Sequence, residues 1–241
     1  MDIRRVSLEP LRPQPLRAPQ PGAGPERREG RGGDRFDRAP RGLEDEPPFW
    51  VVAMAADRMS RRQYLSAAER KAASRLEAAW VTQLAAKVAP AIADWRQELS
   101  SPPRLADWQA LAEVVCEAAG QAPPRVVWQP GMRSDRGQFL FRVEGNLIQL
   151  RPGAPGTIAE WAGTVTHETY HHLQQEWVSA LYRGSPALAG EADRLARYFR
   201  DARSVYQGLG PACPPARHRA QDLERGAWAF GGAIARQLEG G

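Results

Sequence analysis

Thr157-Ile158-Ala159-Glu160-Trp161-Ala162-Gly163-Thr164-Val165-Thr166-His167-Glu168-Thr169-Tyr170-His171-His172-Leu173 is the stretch on which the fold turns. Thr157 and Glu160 stand at capping-box spacing, which predicts a long helix opening here and running to about Val178. Ile158, Trp161, Ala162, Val165, Thr169 and Leu173 recur at helical spacing and form its apolar stripe. At about 100° per residue, His167 and His171 lie roughly 200° and 240° around from Val165, so the pair faces a cleft and not the core. Residues four apart share a helical face one turn apart, and both imidazoles can ligate one ion. Glu168 is displaced around the helix, so its carboxylate reaches a water beside the ion and can act as general base. His172 projects toward the apolar stripe and reads as a buried or hydrogen-bonded structural histidine.

Just upstream, Arg125 to Gln129, Gln138 to Val143 and Asn146 to Arg151 are short runs rich in Val, Ile, Leu, Phe and Trp, separated by Gly and Pro. They read as strands, the last two forming a hairpin across Glu144-Gly145. The strand 146–150 precedes the His-bearing helix and is a candidate for edge pairing with an extended peptide. Downstream, two helices are expected at roughly 187–206 and 219–238. Before the strands, Leu65, Ala68, Ala72, Leu76, Trp80, Leu84 and Val88 predict an amphipathic helix up to Pro90, with a shorter one over 91–99 after a break. A further helix spans about 103–119, with Gly120 just past its end. Helices, a small sheet, then more helices indicate an α+β domain. The helices over 57–119 carry no chemical signature.

The 241 residues divide in two. Residues 1–48 hold nine prolines and six glycines amid interspersed charge, too few apolar groups to offset the entropy of ordering, and read as a disordered tail. Residues 49–241 read as one domain, a helical part over 49–120 and a core over 121–241. The net charge is +5, but the tail balances ten arginines against nine acids, so no nucleic-acid partner is expected. No apolar run reaches a membrane span and no secretory leader opens the chain, which predicts a cytoplasmic protein without a membrane partner. Two cysteines, Cys116 and Cys213, are too few for a disulfide framework or a cysteine-built zinc site.

His167-Glu168-x-x-His171 is the zinc metallopeptidase pattern, and an open catalytic site needs a third protein ligand. Position 177 is Trp and position 174 is Gln, where the metzincin pattern has His and Gly. Two glutamates are candidates: Glu191 on the first downstream helix and Glu224 on the second. Spacing alone does not choose between them. Leu223, Ala227, Phe230 and Ile234 place Glu224 on a turn that is at least partly buried, where a carboxylate wants a cation or a metal. For the oxyanion of peptide hydrolysis, Tyr182, Tyr206, Arg217 and His218 lie on segments expected to border the cleft, with His218 reading as an exposed loop residue.

The segment from Arg125 to about Ile234 resembles the glutamate-zincin metallopeptidases: a hairpin, the His-Glu-x-x-His helix, and a later helix with Glu-x-x-Ala, here Glu224-Arg225-Gly226-Ala227. The resemblance implies a zincin-like fold, Zn²⁺ as cofactor, and a protein or peptide substrate. It also implies Glu224 as the third ligand beside His167 and His171, and Ala227 as the small residue that lets the two helices approach. Gly226 departs from the pattern, since many relatives carry a second Glu there. The expected function is zinc-dependent peptide hydrolysis with Glu168 activating water. Two alternatives are a non-catalytic binding module on the same fold and a tail that serves as an arm for an anionic partner.

Overall fold

The computed structural model describes residues 64–132, 136–140, 145–183, 185, 188–206 and 213–240. The expected tail over 1–48, the segment 49–63, Glu144 of the hairpin and most of the loop 208–215 lie outside these residues. Helix α1, Ala67–Glu98, starts at a capping box in which Ser66 Oγ accepts from the Glu69 amide and Glu69 reaches back to the Ser66 amide. It runs unbroken through Pro90, against the expected break. An internal proline costs about 3 kcal/mol. Val88, Ile92 and Trp95, on either side of it, are all buried, and at about 1.5–3 kcal/mol each they outweigh that cost. Pro90 itself points to solvent. The inward face of α1 also differs from the expected stripe: Ala73, Glu77, Trp80, Val81 and Leu84 are buried, while Ala68 and Ala72 are exposed.

Helix α2, Leu105–Ala119, ends at Gly120, whose φ of 69° is the left-handed cap conformation that glycine adopts without strain. Strands β1 (Arg125–Trp128), β2 (Gly137–Leu140) and β3 (Leu147–Leu150) form a three-stranded sheet in the order β1-β3-β2. β1 runs parallel to β3, with Val126 opposite Ile148, and β2 runs antiparallel to it, with Phe139 opposite Ile148. β3 is therefore central and paired on both sides. The edge-pairing role expected of 146–150 is closed to it, and the edge beside the cleft belongs to β2.

Helix α3, Ile158–Tyr182, begins as expected, with Thr157 Oγ1 accepting from the Glu160 amide and Glu160 returning to the Thr157 amide. Thr157→Ala should destabilise the protein by about 1 kcal/mol. Urea unfolding reads this as a lowered midpoint at unchanged slope. Ile158, placed on the apolar stripe by periodicity, is exposed in the first turn, but Ala162, Val165, Thr169 and Leu173 are fully buried. Trp80 of α1 packs on Tyr170 and Trp177 of α3 at ring-centroid separations of 5.4 and 5.8 Å. Trp108 of α2 stacks on Trp161 at 5.9 Å. α3 thus packs against α1, α2 and the sheet and, further along the chain, against α4 (Glu191–Ser204) and α6 (Asp222–Glu239), with the short α5 (Pro215–Arg219) packed on α6. The last expected helix, 219–238, is α6, and the short α5 precedes it as an element the sequence reading does not contain. Among the described residues the protein is α+β, with six helices around a small sheet.

α3 and α6 come close at two glycines, Gly163 and Gly231. A Cβ on Gly231 would stand 2.5 Å from the Gly163 carbonyl oxygen and 3.2 Å from His167 Cβ. This crossing sets how near α6 comes to the His-bearing face of α3.

Candidate metal centre

Glu224 sits in the first turn of α6, 1% exposed, and its carboxylate spans the two imidazoles of α3. Oε2 lies 3.4 Å from His167 Nε2, Oε1 lies 3.4 Å from His171 Nε2, and the two Nε2 atoms are 3.1 Å apart. Donors held about 2.0–2.2 Å from one ion at tetrahedral angles stand roughly 3.3–3.5 Å from each other, so these three could hold one metal ion. The donor chemistry agrees, two imidazoles and a carboxylate being a set that suits Zn²⁺. Glu224 Oε2 is buried with no hydrogen-bond partner, an orphaned acceptor aimed at His167. Glu191, the other candidate, is exposed at the start of α4 and does not line the cavity around the histidines. Arg225 and Arg219 do not neutralise Glu224 either: Arg225 bonds Asp222, Ser74 and Tyr198, and Arg219 lies over the Trp228 ring at 4.5 Å.

Glu168 Oε1 is 4.0 Å from His167 Nε2, farther than the Glu224 oxygen and within reach of a water shared with it, and His167, Glu168 and His171 bring ligand atoms within 4.8 Å of one another. The charges of this cluster lean on one another. Burial alone would raise the Glu224 carboxyl, but His167 and His171 hold it well below the usual carboxylate range. Burial alone would lower His171, yet its hydrogen bond to Glu224 and the charges of Glu168 and Glu224 raise it to about 9.

His218 was expected as an exposed loop residue. Instead it is half-buried on α5, with Nε2 3.0 Å from the Tyr206 hydroxyl and 3.4 Å from Glu224 Oε1. The Tyr206 hydroxyl donates to Glu224 Oε1 at 2.9 Å, so its one proton is spent there and His218 Nε2 is left to donate to it. Burial and the neighbouring Glu224 carboxylate push the Tyr206 phenol well above its ordinary value, which keeps it a proton donor. Tyr182 and Arg217 do not line the cavity. The signal for Tyr206 and His218 in the sequence is slight, because no helical period connects them to the His-bearing helix.

His172 behaves as expected of a structural histidine. It is 4% exposed, donates from Nε2 to the Ala122 carbonyl at 2.8 Å and accepts at Nδ1 from Asn146 Nδ2 at 2.8 Å, and burial holds it below its usual value. Cys116 and Cys213 are free and buried.

The three donors and Glu168 open into a cavity of about 950 Å³. One arm runs between α3 and α4, past Gln175, Val178 and Phe199. The other runs between α3, α6 and β2, past Thr164, Trp228 and Gly137–Phe139. Trp228 is 45% exposed and packs edge-on against His167 at 4.7 Å, so an aromatic face stands at the cavity mouth. No family model, no curated protein and no solved structure matches this chain. No helix among the described residues is long and apolar enough to cross a membrane.

Proposed function

We propose that the protein is a zinc-dependent peptide hydrolase of zincin-like architecture, in which His167, His171 and Glu224 hold the ion and Glu168 is the general base. The observation that carries this reading is the buried Glu224 carboxylate with one oxygen 3.4 Å from each imidazole, the two Nε2 atoms 3.1 Å apart, and the Glu168 carboxylate 4.0 Å from His167 Nε2. Zn²⁺ held there supplies Lewis acidity, making a nearby water acidic near neutral pH and polarising a carbonyl. Glu168 accepts the proton of that water as it attacks and passes the proton to the leaving amine. Tyr206 and His218 hold the Glu224 carboxylate from its other side, Tyr206 donating to Oε1 and His218 to Tyr206.

A peptide as substrate is supported by β2. Among the described residues this strand pairs on one side only, and Gly137, Gln138 and Phe139 line the cavity, so an extended chain laid beside them can be bound by main-chain hydrogen bonds. The test is zinc per chain by elemental analysis, on wild type and Glu224→Ala purified without added metal. About one equivalent in the wild type and none in the variant is expected. A folded wild type without metal sinks the reading, and metal retained by the variant removes Glu224 from the ligand set.

A further inference from the structure

Helix α1 turns one carboxylate inward. Glu77 is 2% exposed, and its Oε1 accepts the Tyr170 hydroxyl at 3.0 Å and the Gln174 amide at 3.4 Å. Room for that oxygen exists because residue 226 is glycine: a Cβ there would overlap Glu77 Oε1 and come within 2.9 Å of the Tyr170 hydroxyl. Burial pushes the Glu77 carboxyl up to about 7, and with the proton on Oε2 the Oε1 atom remains an acceptor in either state.

Gln174 connects this carboxylate to the metal centre. Its Nε2 donates to the Leu223 carbonyl at 3.0 Å and to Glu77, while its Oε1 faces His171 Nδ1 at 2.9 Å. The reverse amide orientation would set Oε1 against two acceptors, the Leu223 carbonyl and Glu77 Oε1. Because Oε1 can only accept, His171 Nδ1 carries a hydrogen, which leaves Nε2, the nitrogen turned toward Glu224 and His167, as the one that would bind an ion. We propose that Glu77 is a positioning residue for the metal centre: through Gln174 it sets the tautomer and ring orientation of His171, and Gly226 is the space that lets helix α1 deliver it. Outer hydrogen bonds of this kind are worth about 10–100-fold in metal affinity.

The inference rests on the metal-binding reading above, and its test separates the two. Zinc affinity is measured by chelator competition for wild type, Glu77→Met, Gln174→Met, the double variant and Glu77→Gln. Each Met variant should bind zinc about 10–100-fold more weakly, and the double variant no more weakly than the weaker single. Glu77→Gln, which can still present an acceptor oxygen to Tyr170 and Gln174, should bind within a few-fold of wild type. Should Glu77→Met fail to fold, Glu77→Asp withdraws the oxygen by one methylene and is read the same way. Losses that add in the double variant, or a folded Glu77→Met that binds as tightly as wild type, overturn the role of Glu77 while leaving the metal site in place. A wild type that binds no zinc overturns the metal reading itself.

Discussion

Glu168→Gln is expected to lower peptide hydrolysis by roughly 10²–10⁴-fold while zinc per chain stays at the wild-type level. The substitution keeps the shape of the side chain and removes its ability to take a proton. Metal content should survive because Glu168 Oε1 lies 4.0 Å from His167 Nε2, whereas the Glu224 oxygens lie 3.4 Å from both imidazoles. The measurement is turnover of an unstructured protein substrate alongside elemental analysis. Near-normal turnover in the variant disposes of the mechanism. A zinc-loaded wild type that hydrolyses nothing moves the non-catalytic binding module to the front.

Gly231→Ala should destabilise the protein by about 1–3 kcal/mol, because the new methyl would stand 2.5 Å from the Gly163 carbonyl oxygen, a backbone atom that cannot yield without moving a helix. The strain falls on the crossing of α3 and α6, the two helices that carry His167, His171 and Glu224, so zinc affinity should fall with stability. Gly232→Ala is the control. A Cβ there meets only the far end of the Arg236 side chain at 3.3 Å, and removing a mid-helix glycine should stabilise by about 0.5–1 kcal/mol. Urea unfolding of the two variants therefore gives shifts of opposite sign. Equal shifts would show that the close crossing is not what holds α6 in place.

The resemblance singled out Ala227 as the small residue of the helix pair. Ala227 is fully buried, and one turn further on Gly231 stands against Gly163, where a Cβ would meet the Gly163 carbonyl oxygen at 2.5 Å. Periodicity reports which face of a helix is apolar, not where along its length a partner touches it. The same limit explains α1. Its periodicity picks out the buried Trp80, Leu84 and Val88 together with the exposed Ala68 and Ala72, and a break at Pro90 follows only from local backbone cost, without the burial of Val88, Ile92 and Trp95 around it. Glu77 looked like one more charge on that helix, and nothing local distinguishes it from the exposed Glu69 two turns earlier.

Local chemistry alone determined much of this protein. The capping box at Thr157, the i, i+4 imidazoles at His167 and His171, the displacement of Glu168 around the helix from them and the turn of His172 toward the apolar stripe all depend on positions within a turn or two of helix. Their geometry follows from the helical period before any partner is present. The tertiary structure decided the rest: Glu224 over Glu191 at the histidines, β2 and not β3 at the open edge, and Tyr206, His218 and Glu77 brought around the site. Each of those joins residues far apart in the chain through strand order, a glycine crossing and core burial, which no local period encodes.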